Sequence, residues 1–134
     1  MAGSKTGTKL PSQYGSILLG SLIGVNLNLG TNVDQQIPLL DTPTKFRIRA
    51  IAMTNGSINP STARFTINTA AAGGGVNLVS SVTPSLASAA VVQDLTIAST
   101  NTITGTGVLY LYLTTPQSAA ATVDIYVYGD IYTA

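Results

Sequence analysis

Residues 106–132 read TGVLYLYLTTP, then QSAAA, then TVDIYVYGDIY, and their alternation decides the fold. In the first ribbon Leu109, Leu111 and Leu113 fall on one face, and Val108, Tyr110 and Tyr112 fall on the other. In the second, Val123, Ile125 and Val127 share a face opposite Asp124, Tyr126 and Tyr128. Period-two alternation of β-branched and aromatic residues is the mark of a β-strand. Each ribbon has an aliphatic side suited to a core and a second side that carries tyrosines. A face left in water carries Lys, Glu, Thr and Ser in place of successive tyrosines, so the tyrosine side is expected to meet a partner. The QSAAA link is short, and the two ribbons are expected to pair.

Upstream, Lys45–Asn55 (KFRIRAIAMTN) is the second strong strand. Strict alternation places Phe46, Ile48, Ala50 and Ala52 on one side and Arg47, Arg49, Ile51 and Met53 on the other. Asn55-Gly56 is a turn signal, and after residues 57–61 the segment Ala63–Thr69 is expected as a hairpin partner. Tyr14–Leu29 reads as one or two strands bent at Gly24 and Gly30. Val33–Leu40 reads as an edge strand, because Pro38 cannot donate to a central ladder, and Asp41-Thr-Pro-Thr then forms a turn. Val76–Val82 and Val91–Ala98 are strands flanking Pro84, with one helical turn expected over Ser85–Ala90. Ala70–Gly75 (AAAGGG) is a loop, and Ser99–Thr106 is either strand or connection.

Roughly eight short strands without a long helix predict an all-β fold: a two-sheet antiparallel β-sandwich of jelly-roll topology. Residues 14–134 form its single domain. Residues 1–13 (MAGSKTGTKLPSQ) are either a solvated tail or an extended N-terminal arm lying on a neighbour, with Lys5 and Lys9 as its positive charge.

Composition narrows the function classes. Charged residues make up 8% of 134 residues, against about 25% in an ordinary globular domain, and mean hydropathy is +0.35. The longest apolar run, Ile17–Val25, is broken by Gly20, Ser21 and Gly24 and falls far short of the ~18 residues of a spanning helix, so no membrane partner is expected. Low charge with high apolar content instead points to surface covered in an assembly. A net charge of +1 steers nothing strongly toward nucleic acid.

The chain has no histidine, cysteine or glutamate. Ser–His and Cys–His nucleophile pairs are therefore impossible, and so are His/Cys zinc sites. The acids are Asp34, Asp41, Asp94, Asp124 and Asp130. A glycosidase pair needs carboxylates about 5–10 Å apart, whereas Asp124 and Asp130 on one continuous strand are separated by roughly 20 Å. Gly73–Gly75 lacks the Lys-Ser/Thr of a phosphate loop. The chain is not expected to be an enzyme or to hold a cofactor. Arg47 and Arg49, with Arg64 on the hairpin partner, are the one basic cluster, suited to phosphates or to Asp residues of a neighbouring subunit. A tyrosine row stacks on sugars or fills a subunit interface. The absence of Trp, the strongest sugar-stacking residue, favours the interface.

The ending TGTGVLYLYLTTPQSAAATVDIYVYGDIY resembles the C-terminal strands of small tailed-phage virion proteins, above all the trimeric jelly-roll decoration, or cement, proteins. YGSILLGSLIGVNLN followed by KFRIRAIAMTN is similar to their opening strands. The resemblance implies a homotrimer assembled in the host cytoplasm and bound to the major capsid protein on the outer surface of a phage head. There it reinforces the lattice without catalytic residues, cofactor or direct nucleic-acid contact. Tyr110, Tyr112, Tyr126, Tyr128, Tyr132, Arg47 and Arg49 are the expected subunit interface, and Lys5 and Lys9 the capsid-docking arm. The alternatives are a receptor-binding head fibre, a carbohydrate-binding module or a minor tail component.

Overall fold

A computed structural model describes residues 17–40, 43, 45–104 and 107–133. The arm of residues 1–13 with Lys5 and Lys9, and Asp41 of the expected turn, lie outside the described residues. Among the described residues nine strands follow in order: β1 (Ile17–Asn26), β2 (Val33–Pro38), β3 (Lys45–Thr54), β4 (Arg64–Asn68), β5 (Asn77–Val82), β6 (Val92–Leu95), β7 (Ile103–Thr104), β8 (Val108–Thr115) and β9 (Thr122–Thr133).

They form two antiparallel sheets packed as a sandwich. One has the order β1-β9-β3-β6, with β7 also on β3; the other has the order β2-β8-β4-β5. First pairs with last, second with eighth, third with sixth and fourth with fifth. That nested winding of one ribbon between two sheets is a jelly roll.

The aliphatic sides predicted from the alternation face each other across the sandwich. Leu19, Phe46, Ile48, Ile51, Met53, Val123, Ile125 and Val127 of one sheet meet Ile37, Phe65, Ile67, Leu109, Leu111 and Leu113 of the other, all fully buried. Each such side chain stabilises the fold by roughly 2 kcal/mol through removal from water. Val33–Pro38 is the edge strand expected from Pro38. Gly24 takes φ +73° inside a bulge of β1, a conformation open to glycine at no steric cost.

Four expectations are corrected. First, β3 does not alternate strictly. Ile48 opposes Gly129 while Ala50 opposes Tyr128, so Arg49 is an extra residue, a β-bulge that reverses the phase. Ile51 and Met53 therefore join Phe46 and Ile48 in the core, and Ala50 and Ala52 turn outward. Second, β3 and β4 are not a hairpin, because they lie in different sheets. Third, β8 and β9 do not pair, for the same reason. Their link carries Gln117, which is buried, and its side-chain oxygen accepts from Thr62 N (3.0 Å), Thr62 Oγ1 (2.7 Å) and Ala63 N (3.2 Å). The link thus crosses the end of the sandwich and ties the β3–β4 connection to it. Fourth, Ser85–Ala90 forms no helix; the short 3-10 turn lies instead at Ala71–Gly73, with Ala72 at φ +56°.

The two long margins of the sandwich differ. At the β1–β2 margin, Gln35 bonds the backbone of Asn26 both ways (2.9 and 2.8 Å), and Leu40 N donates to the Leu19 carbonyl at 2.6 Å. At the β5–β6 margin, Ala98 N donates to the Leu78 carbonyl (2.7 Å), and Gln93 bonds Thr83 and Ser85. Between those ties the strands part around a cleft of about 280 Å³.

Gly129 stands where β9 passes the bulge of β3. A Cβ there would collide with the Arg47 carbonyl oxygen and press on Leu19, and backbone cannot swing aside as a flexible side chain can. Gly129→Ala is expected to lower stability by about 3 kcal/mol, the upper part of the overpacking range. Urea denaturation measures this; an unchanged midpoint would mean that the close approach of β9 to β3 is wrong.

Candidate interaction surfaces

The outer face of the five-stranded sheet is unusually apolar for a surface. Its cross-strand rows are Leu18–Tyr128–Ala50, Ser21–Tyr126–Ala52–Asp94 and Asp124–Thr54–Val92. Ile23 is 61% exposed, Val92 59%, Tyr132 51% and Leu18 39%. Tyr126 and Tyr128 are half-buried. The phase reversal in β3 creates part of this surface by placing Ala50 and Ala52 beside the two rings.

Two carboxylates of β9 organise the face. Asp124 accepts from Gly24 N on one side (2.9 Å) and from Asn55 Nδ2 on the other (2.9 Å), so it fastens the central strand to both neighbours. Asp130 Oδ2 accepts from Arg47 Nη2 and Arg49 Nε, both at 2.7 Å. Burial pushes the Asp130 carboxyl up, but the hydrogen bonds and charges of Arg49 and Arg47 outweigh it and hold the group below its ordinary range. The bond to Asp130 in turn raises Arg47 further, against its desolvation. Asp130 Oδ1 and Arg47 Nε are buried without a hydrogen bond from the described residues. Two guanidiniums on one carboxylate leave the cluster with net charge +1.

Tyr110 and Tyr112 point the other way, outward from the four-stranded sheet, and are half-buried. Their rows are Gln36–Tyr110–Asn68 and Asp34–Tyr112–Thr66. A polar chain runs across this face: Asn68 Nδ2 donates to Thr66 Oγ1, Asn77 Nδ2 to Asn68 Oδ1 and Ser80 Oγ to Asn77 Oδ1, each within 2.8 Å. Asp34 accepts from Ala72 N (2.9 Å), holding the 3-10 turn against the sheet.

The tyrosines named from the sequence therefore divide between opposite faces of the sandwich. Tyr126, Tyr128 and Tyr132 are joined by Arg47 and Arg49; Tyr110 and Tyr112 are not among them. Arg64 belongs to the four-stranded sheet and bonds the carbonyls of Ser61 and Ala63, so the three-arginine cluster does not form. The expected link of Arg47 and Arg49 to acid groups exists within the chain itself. The roles of Asp124, Asp130 and Gln117 were missed, and only the β3–β9 register could have revealed the Asp130 pairing. Among the described residues, no three potential metal ligands lie together. Comparison with protein-family models, curated proteins and solved structures finds no match.

The depressed pKa of Asp130 fixes a sign. The folded state favours the ionised form, so the contribution is fully present above the unfolded value near 4 and is lost as pH falls through the lower folded value. Asp130→Asn is expected to lower the melting temperature at neutral pH and to flatten its decline below pH 4. Thermal unfolding from pH 2 to 7 tests this, and wild-type and variant curves that stay parallel would remove Asp130 from the acid response.

Proposed function

We propose that this chain is a structural virion protein, a decoration or cement protein that associates with copies of itself, as a homotrimer, on the outer surface of a phage head and reinforces the capsid lattice. The observation that carries the reading is the outer face of the five-stranded sheet. Beside the Asp124 and Asp130 clusters, Ser21, Thr54 and Asp94, this face carries Leu18, Ile23, Ala50, Ala52, Val92 and three tyrosines.

Its size sets the strength of the contact. Three strands of about ten residues and the four-residue β6 cover roughly 540 Å² per copy. Two such faces bury ~1,100 Å², below the standard range and just above the roughly 1,000 Å² that a specific interface should clear. A contact of that size is modest alone and becomes firm by repetition on a lattice, where many weak attachments act together. Low net charge suits close packing of identical copies. The resemblance of the terminal strands to trimeric decoration proteins supports both the threefold state and the major capsid protein as partner.

The four-stranded sheet supports a second reading, a carbohydrate-binding module. Tyr110 and Tyr112 stand amid Asp34, Gln36, Thr66 and Asn68, a mixture of rings and hydrogen-bonding groups that sugars accept. Opposite placement of the two tyrosine pairs makes the readings separable. Tyr126→Ser with Tyr128→Ser is expected to weaken self-association at least tenfold in sedimentation equilibrium, with the far-UV β signal retained. Tyr110→Ala with Tyr112→Ala is expected to leave association unchanged. A wild-type monomer at micromolar concentration would sink the assembly reading, and glycan binding abolished by the second pair would establish the other.

A further inference from the structure

We infer that the cleft between β5 and β6 receives the N-terminal segment, residues 1–13, of a neighbouring copy as an added strand. The inference rests on the self-association proposed above and names a second contact within it.

The cleft is lined by Val79, Ser80, Ser81, Val82 and Thr83 of the β5 side and by Gln93, Asp94, Leu95, Thr96 and Ala98 of the β6 side. Both β5 and β6 end their sheets, and a sheet end offers backbone N–H and C=O groups to an incoming strand. Ties at Leu78–Ala98 and at Thr83–Gln93 bound the opening. The β5 wall between them, Val79–Val82, runs for about 13 Å, the length of four extended residues. At about 280 Å³ the space falls below the usual range for a small-molecule pocket of roughly 300–1,000 Å³. It suits a short peptide of small side chains.

Residues 3–9, GSKTGTK, have that composition. Extended, they place Ser4, Thr6 and Thr8 on one side and Lys5, Gly7 and Lys9 on the other. The hydroxyl side matches a wall of Ser80, Ser81, Thr83 and Thr96. The lysine side meets Asp94, which is exposed at the lip. Asp34, Asp124 and Asp130 each have a partner within the chain, whereas Asp94 has none among the described residues. Residues 1–16 contain two lysines and no acid, so the charges are complementary.

Sixteen extended residues span up to roughly 53 Å, ample for a neighbour's cleft. The chain's own segment precedes β1, which lies at the opposite end of the order β1-β9-β3-β6 from its own cleft, and this distance favours exchange between copies.

The chain lacks cysteine, so engineered thiols report without background. A Thr6→Cys chain mixed with a Ser81→Cys chain, both at exposed or terminal sites, is expected to form a disulfide-linked heterodimer in more than half of the chains under mild oxidation. Thr96→Cys on the opposite wall is expected to do the same. Asp94→Lys is expected to cut the yield at least fivefold, and Lys5→Glu with Lys9→Glu to restore it. A link formed only within the double variant Thr6→Cys/Ser81→Cys would overturn exchange in favour of the chain's own cleft. No link in a sample whose mass in solution is oligomeric would overturn the inference while leaving self-association standing. No link in a monomeric sample would overturn both.

Discussion

Strand β9 is hydrogen-bonded on both sides, to β1 and to β3, and the five-stranded sheet exists only because of that double pairing. Its inward residues Val123, Ile125 and Val127 supply the middle of the core. Its outward carboxylates do different work: Asp124 grips Gly24 and Asn55 near one end, and Asp130 grips Arg47 and Arg49 near the other. Both acids are largely buried. In a chain with so few ionic groups, two of the four described carboxylates are used to hold one strand in register.

The alternation in β8 and β9 was legible because it is unbroken through Val108–Leu113 and Val123–Tyr128; the extra residues, Thr114 and Tyr132, lie beyond those stretches. In β3 it was not, because Ala50 and Ala52 are apolar on either assignment and nothing local announces the extra residue at Arg49. The bulge is set by the partner strand, where Gly129 lets the Arg47 carbonyl approach. Asn55-Gly56 was read correctly as the end of β3, and Asn55 takes φ +55° there, yet the end of a strand says nothing about whether the chain returns to the same sheet. That choice is made by distant contacts, such as Gln117 binding Thr62 and Ala63. Outward tyrosines could be named from the sequence; their division between two faces depended on sheet membership, which period two does not encode.

The division gives the molecule two unlike exteriors. One sets rings among alanines and aliphatics, between the Asp124 cluster and the Asp130–arginine cluster. The other joins rings to amides and hydroxyls already hydrogen-bonded among themselves, and it can remain in water at little cost. A sandwich sealed on both sides by partners would need neither Asn68 nor Asn77 on its second face. The asymmetry is therefore consistent with a protein that is covered on one side and open on the other.

The nested winding has a consequence for assembly in time. Because β1 and β9 are neighbours although almost the whole described chain lies between them, bringing them together demands closure of a very long loop before any reward from pairing. Topologies of this sort fold in milliseconds to seconds, not microseconds. Until β9 is in place, β1 and β3 lack the strand that pairs with both. Newly made copies held at high concentration would then meet as unfinished sheets, so dilution during refolding should favour correctly closed molecules over aggregates.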